Sequence, residues 1–256
     1  MGAGFIAVIP ARYASSRLPG KPLKQIAGKP MIEWVYRQTL GSGASEVIVA
    51  TDDERIAAAC RGFGAPVELT SAEHPSGTDR IAELARRFHW DDEQIVVNVQ
   101  GDEPLISPVS IAQTARLLAW HPDAAIATLA APLDRDAEFE DSNFVKVVTD
   151  RAGWALYFSR APIPWNRDEP PTREGASVTQ ALRHIGLYAY RAAALRQVAA
   201  APQCELEEIE KLEQLRALYL GLRIRVGIAR SLPGQEVNTP EDLERVAALL
   251  GARSGS

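Results

Sequence analysis

Three stretches of this chain carry residue types suited to an anionic substrate. The first follows the apolar run Phe5–Ile9 and holds Arg12, Ser15, Ser16, Arg17 and Lys21, with Pro10, Pro19, Gly20 and Pro22 restricting the backbone. Three cations and two hydroxyls after a buried strand make a candidate polyphosphate cradle, because ligands of open α/β sheets bind at the carboxyl ends of the strands. No Gly-Lys-Ser/Thr follows, so the loop is not a Walker A motif. Composition alone allows a solvated basic loop equally well. The second stretch is His74-Pro75-Ser76-Gly77-Thr78-Asp79-Arg80. Ser76 and Asp79 have the spacing of a capping box, and the free amides of that helix start, with Arg80 beside them, suit a polar ligand. Spacing by itself requires no more than a helix start. The third is Gln100-Gly101-Asp102-Glu103-Pro104, directly after the strand-like run Gln94–Val99. A carboxylate just past a buried strand suits a hard cation such as Mg²⁺, which takes one or two carboxylates and completes its shell with water and phosphate. Gly-Asp followed by Pro is also an ordinary turn.

These groups need a scaffold, and the hydrophobic pattern predicts one. Phe5–Ile9, Glu46–Ala50 and Gln94–Val99 are short, almost wholly apolar runs, which predicts strands buried on both faces. Helical spacing over Lys29–Leu40 (Ile32, Val35, Tyr36, Leu40) and over Glu54–Arg61 alternates with them, which implies a parallel sheet with right-handed crossovers. Asp52 is positioned to cap the second helix. Val67–Thr70 reads as a further short strand, followed by a helix through Ile81, Leu84, Ala85 and Phe88. Ser107-Pro108 starts a helix reaching Trp120, and Ala124–Ala131 is another strand. Phe144–Thr149 and Trp154–Ser159 flank Asp150-Arg151-Ala152-Gly153 and read as a hairpin. Pro162–Arg173 is rich in proline and charge and is expected to be a mobile loop. His184–Tyr190 resumes strand character. Glu205–Leu220 reads as one helix, Arg223–Ile228 as a strand with one wet face, and Thr239-Pro240-Glu241-Asp242 as a capping box opening a last helix to Gly251. The tail Arg253–Ser256 is expected to fray.

Composition bounds the function. At 256 residues the chain can form one large α/β domain with a sizeable core. A net charge of −5 argues against a generic nucleic-acid binder, so any polyanion site must be a local cluster of cations. No apolar stretch approaches the ~20 residues needed to span a bilayer, and no membrane partner is expected. Cys60 and Cys204 are the two cysteines and read as buried thiols of a reducing compartment, which points to a cytoplasmic protein.

The motifs Ile9–Leu23 (IPARYASSRLPGKPL), His74–Arg80 (HPSGTDR), Val97–Pro104 (VNVQGDEP), Val145–Val148 (VKVV), Ala155–Trp165 (ALYFSRAPIPW), Arg183–Arg191 (RHIGLYAYR), Leu212–Arg216 (LEQLR) and Asn238–Val246 (NTPEDLERV) occur in this order. In combination the chain resembles the 3-deoxy-D-manno-octulosonate (Kdo) cytidylyltransferases over nearly its whole length. The first motif is shared in looser form by other nucleotidyltransferases; the combination with ALYFSRAPIPW and RHIGLYAYR is specific. The resemblance implies a mainly parallel, Rossmann-like nucleotidyltransferase fold with a smaller antiparallel sheet insertion. It implies a single domain over residues 1–256 with a dimerisation and sugar-binding region at about 130–200. It also implies a reaction in which CTP and Kdo give CMP-Kdo and pyrophosphate, Mg²⁺ being required, and a homodimer.

On the matching positions, the resemblance assigns Arg12, Ser15 and Lys21 to the triphosphate. Ser76, Gly77, Asp79 and Arg80 go to the rest of the nucleotide, Gln100, Arg160, His184, Tyr188 and Gln214 to the sugar acid, and Asp102 with Asn238 to the metal. Arg12, Lys21 and Asp102 form the catalytic set. No dedicated general base is evident. Asn238 departs from the family, which often has aspartate there. Asparagine keeps an oxygen ligand and drops a charge, leaving the metal count open. Two alternatives stand beside this reading: a cytidylyltransferase for a related sugar acid, such as 8-amino-Kdo or a sialic acid, and a non-catalytic nucleotide sensor, favoured by Asn238 alone.

Overall fold

A computed structural model describes residues 4–14, 18–133, 136–168, 181–231, 234 and 236–254. Its strands are β1 (Phe5–Ala11), β2 (Gln25–Ile26), β3 (Lys29–Pro30), β4 (Glu46–Thr51), β5 (Val67–Leu69), β6 (Ile95–Asn98), β7 (Ile126–Pro132), β8 (Lys146–Thr149), β9 (Ala155–Ser159), β10 (Leu182–Arg191) and β11 (Ile224–Ile228). Its helices are α1 (Met31–Leu40), α2 (Glu54–Gly62), α3 (Gly77–Arg87), α4 (Pro108–Ala119), α5 (Asp136–Glu140), α6 (Ala192–Ala200), α7 (Glu205–Glu210), α8 (Gln214–Tyr219) and α9 (Pro240–Ser254). The main sheet runs β11-β7-β10-β6-β1-β4-β5. Every strand on that path points the same way except β10, which is antiparallel to both β6 and β7. The expected hairpin, β8–β9, extends the main sheet from β10 as an antiparallel pair, and β2 and β3 form a small separate antiparallel sheet.

The continuous apolar runs have their explanation in burial from both sides. Phe5, Ala7 and Ile9 of β1 face a core shared with Ile32 and Val35 of α1, Ile56 of α2 and Ile111 of α4. Ile6 and Val8 face the opposite core, with Ile81 and Leu84 of α3, Leu195 of α6 and Leu215 of α8. After β5 the chain returns through α3 to the other side of β1. β1 therefore lies at the point where strand order reverses, the crevice where open α/β sheets bind ligands. A third cluster packs Leu18, Ile26 and Met31 against Val237, Val246 and Leu250. That cluster brings the segment before α9 back onto the loop after β1.

Three local expectations are corrected. Asp53, not Asp52, caps α2, its carboxylate accepting from the Arg55 amide; Asp52 pairs with Arg80 instead, at 3.3 Å. Glu205–Leu220 is not one helix: the chain breaks between α7 and α8 at Lys211, in the left-handed region at φ 54°. The break lets Arg216 fork onto Glu207, Nε to Oε2 at 2.7 Å and Nη2 to Oε1 at 2.5 Å. In a continuous helix, positions nine apart are separated by roughly 13 Å along the axis, so the buried pair and the straight helix exclude each other. The last helix runs past Gly251 to Ser254. Residues 169–173 of the expected loop, Ser15 of the basic stretch, and 255–256 of the tail lie outside the described residues.

Candidate active site

A cleft of about 390 Å³ opens at the carboxyl ends of β1 and β6, lined among others by Arg12, Lys21, Ser76, Gly77, Arg80, Gln100, Asp102 and Asn238. Most of the residues assigned to nucleotide and metal thus meet in one concavity although they span more than two hundred positions.

Lys21 is placed by the loop's own geometry. Gly20 adopts φ +66°, its amide donates to the Tyr13 carbonyl at 3.1 Å, and a Cβ there would lie 3.1 Å from the Tyr13 ring. The other support of that ring is the Arg55 guanidinium, 3.4 Å from its centroid. From this platform Lys21 Nζ donates to Asp102 Oδ2 at 2.7 Å, the Val237 carbonyl at 2.8 Å and Asn238 Oδ1 at 3.3 Å. Asp102 reaches that point because Gly101 has no side chain: a Cβ would sit 2.8 Å from the Pro10 carbonyl oxygen. The Val237 amide donates to the Asp102 carbonyl at 3.0 Å, tying the segment before α9 to the turn after β6.

Three oxygens therefore converge on one cationic group. Among the described residues no group of three or more His, Cys, Asp and Glu side chains forms a metal cage. A carboxylate, an amide oxygen and a backbone carbonyl are nonetheless the hard donors Mg²⁺ takes when phosphate and water complete its shell, so the donor set fits.

At the helix-start stretch, Ser76 Oγ accepts from the Asp79 amide at 3.2 Å and donates to Asp79 Oδ2 at 2.7 Å, which fulfils the capping expectation. Asp79 turns its carboxylate to this cap and does not line the cleft. Arg80 lines it, but its guanidinium is buried and spent on Thr70 Oγ1, the Ser71 carbonyl and Asp52. It braces the cleft wall.

Gln100 joins the cleft, whereas Arg160, His184, Tyr188 and Gln214 lie outside its lining. A bulge in β10 organises two of these: register passes from Ile185 opposite Leu129 to Tyr188 opposite Thr128. The His184 and Tyr188 rings end up 5.3 Å apart, and His184 Nε2 lies 3.0 Å from Thr128 Oγ1. Burial, with Arg183 nearby, pushes the His184 pKa down to about 3, so the ring is neutral. Arg160 donates from Nε to the Glu210 carbonyl at 2.7 Å and from Nη1 to the Ser142 carbonyl at 2.8 Å. Its own carbonyl accepts from the buried Lys146 at 2.7 Å.

Tyr188 Oη and Gln214 Nε2 are buried without a hydrogen-bond partner, and so is Asn98 Oδ1. Asn98 sits opposite Tyr188 in the β6–β10 register. Buried polar atoms are normally paired, so each of these three has an open hydrogen-bonding position. Glu213 connects the two groups. Burial raises its pKa, and hydrogen bonding with Thr78 and Ser76 acts in the opposite direction. It also contributes to the raised pKa of Tyr188, after burial and Tyr190. Sequence reasoning missed Asn98 and Glu213. Asn98 carried a signal, a polar residue inside an apolar strand; Glu213 looks like any charge on a helix.

Fold and cleft define a class: an α/β protein with a phosphate-suited crevice at the switch point of a mostly parallel sheet. The cytidylyltransferase family model matches residues 6–224. Curated relatives named 3-deoxy-manno-octulosonate cytidylyltransferase include those of Thioalkalivibrio sulfidiphilus, 53% identical over 97% of this chain and 99% of the relative, and Pseudomonas syringae pv. tomato, 54% identical over 98% and 100%. A solved CMP:2-keto-3-deoxy-manno-octonic acid synthetase complexed with CTP superposes with a TM-score of 0.88 at 41% identity, covering 98% of this chain and 99% of that one. A cytidylyltransferase from Leptospira borgpetersenii, 15% identical with a TM-score of 0.63, shares the fold. The chain belongs to the cytidylyltransferase family, among the 3-deoxy-manno-octulosonate cytidylyltransferases.

Proposed function

We propose that the protein transfers CMP from CTP to Kdo and releases pyrophosphate, a step toward lipopolysaccharide, with Mg²⁺, as a cytoplasmic homodimer. The observation that carries the reading is the meeting of Arg12, Lys21, Asp102 and Asn238 in one cleft, in a chain about half identical to Kdo cytidylyltransferases. The anomeric hydroxyl of the sugar acid attacks the α-phosphate of CTP, and pyrophosphate leaves in line. Such transfers depend on positioning and charge neutralisation more than on covalent help.

Arg12, exposed at the end of β1, presents a fork suited to phosphate oxygens, and Lys21 a point charge. Ser15 is assigned a hydroxyl donation to the triphosphate. Ser76 and Gly77 offer the start of α3 to the nucleotide, with Asp79 and Arg80 holding that start in shape. Asp102 Oδ2 and Asn238 Oδ1 would hold Mg²⁺. When bound it supplies charge neutralisation at phosphate and lowers the pKa of the attacking hydroxyl. Gln100, Tyr188 and Gln214 present neutral groups to a polyhydroxylated acid, His184 adds a neutral ring nitrogen, and Arg160 is the cation for the sugar carboxylate. Asn98 joins this set by its orphaned oxygen.

The test is pyrophosphate release from CTP with a panel of sugar acids, with and without chelator. Release with Kdo, far slower release with a sialic acid, and loss of activity on chelation are expected. Release with 8-amino-Kdo or a sialic acid but not Kdo would shift the substrate. CTP binding without release for any acid would leave a nucleotide sensor.

A further inference from the structure

The cation-facing end of Asn238 depends on a neighbour outside the cleft lining. An asparagine amide has one accepting end and one donating end of nearly the same size. Turned one way it offers Oδ1 to a cation; turned the other way it aims N–H bonds at the cation and repels it. Here the backbone is fixed first: the Asn238 amide donates to Asp242 Oδ2 at 2.9 Å, and Val237 is fully buried. On either side of Val237, Asn238 Nδ2 donates to Glu236 Oε2 at 3.1 Å while Asn238 Oδ1 accepts from Lys21 Nζ at 3.3 Å.

We infer that Glu236 is a positioning residue: it holds the donating end of the Asn238 amide and so turns the oxygen toward the cation site. The inference rests on the reading of Asp102 and Asn238 as cation ligands. It also bears on the charge missing at Asn238, since Glu236 places a carboxylate one hydrogen bond behind the neutral ligand. An aspartate at 238 would need no such partner, because its two oxygens are equivalent.

The experiment measures Mn²⁺ binding to the full-length protein with CTP present and no sugar acid, by the electron paramagnetic resonance signal of free Mn²⁺. Glu236→Ala should weaken Mn²⁺ about three- to tenfold, the scale of one partly exposed charge-assisted hydrogen bond. Glu236→Gln, whose amide oxygen still accepts, should recover part of that loss. In the Asn238→Asp background, Glu236→Ala should change affinity less than about twofold, since exposed like charges interact weakly. Thermal midpoints should be unchanged throughout, because the Thr239–Asp242 capping box that opens α9 is untouched. Equal losses in both backgrounds would mean that Glu236 acts by charge and not by orienting an amide, and would overturn the proposal. So would an unchanged affinity in Glu236→Ala. Asp102→Asn separates the layers: if it weakens Mn²⁺ while Glu236→Ala does not, Glu236 alone is dismissed. If Asp102→Asn has no effect, the cation site falls and the proposal with it.

Discussion

At the scale of single residues, the side chains that resemble one another in sequence are used in opposite ways. Arg12 stands exposed at the cleft while Arg80, which looks equally available in HPSGTDR, is buried in a wall of hydrogen bonds. His184 is the clearest case. Its pKa is pushed down to about 3, chiefly by burial, so near neutral pH it is a hydrogen-bonding ring and not a cation. Under the function proposed above, the positive partner of the sugar carboxylate is then Arg160 and not His184. The same shift sets a pH dependence of stability. Above pH ~6.5 neither the folded nor the unfolded state protonates this ring. Below it the unfolded state binds a proton that the folded state refuses, so the folded state loses up to about 1.4 kcal/mol per pH unit between ~6.5 and ~3 from this group. In an NMR titration the His184 ring should keep its neutral chemical shifts from pH 8 down to pH 4. A midpoint near 6.5 would mean that water reaches the ring, and the neutral-donor role would fail.

At the scale of elements, what was legible in the sequence is what local physics decides. β1, β4 and β6 showed as apolar runs because both faces of each are covered, and the starts of α3 and α9 showed because Ser76 and Thr239 cap them. What was not legible is decided across space. The break at Lys211 follows from a pair formed only once the chain folds back, and α6, Ala192–Ala200, has no side-chain cap to announce it. The meeting of Lys21 and Asp102 was legible, because each follows a buried strand of one parallel unit; Asn238, from the far end of the chain, had no local signal, and only the motif resemblance placed it with them. The α7–α8 corner bears on the proposed function because Gln214, assigned there to the sugar acid, follows directly after it. Arg216 and Glu207 are both about 95% excluded from solvent, so removing one partner strands a buried charge. Glu207→Ala should cost about 3–5 kcal/mol in urea denaturation, with a larger effect on sugar-acid binding than on CTP binding. A loss below about 1 kcal/mol would show that the corner holds without the pair, and that apolar contacts of Leu212 and Leu215 fix it instead.

At the scale of the whole molecule, several exposed apolar residues fall on elements that pack against one another. Leu156 on β9, Trp165 just after it, Leu206 and Ile209 on α7, and Tyr219 on α8 all expose large side chains, Ile209 and Tyr219 by about 70%. These elements are joined: Glu210 of α7 accepts from Ser159 Oγ of β9 at 2.5 Å and from the Arg160 amide at 2.9 Å, while α8 packs on β9. β9 also pairs with β8 alone among the described strands; its other edge has no strand partner beyond the single bridge of Trp154, just before it, to Arg225 of β11. Open edges and apolar patches are normally covered, and a two-fold interface, with the same patch on both copies, is the commonest cover in soluble oligomers. Because the patch is built from the elements that carry Arg160 and Gln214, covering it would also stiffen the residues proposed above for the sugar acid. Light scattering at micromolar concentration should therefore give twice the chain mass of 27.8 kDa. Ile209→Asp should shift the protein to monomer and raise the apparent Kdo requirement more than the CTP requirement. A wild-type monomer would refute the dimer. A monomeric variant with unaltered Kdo dependence would keep the dimer and sever it from the sugar site.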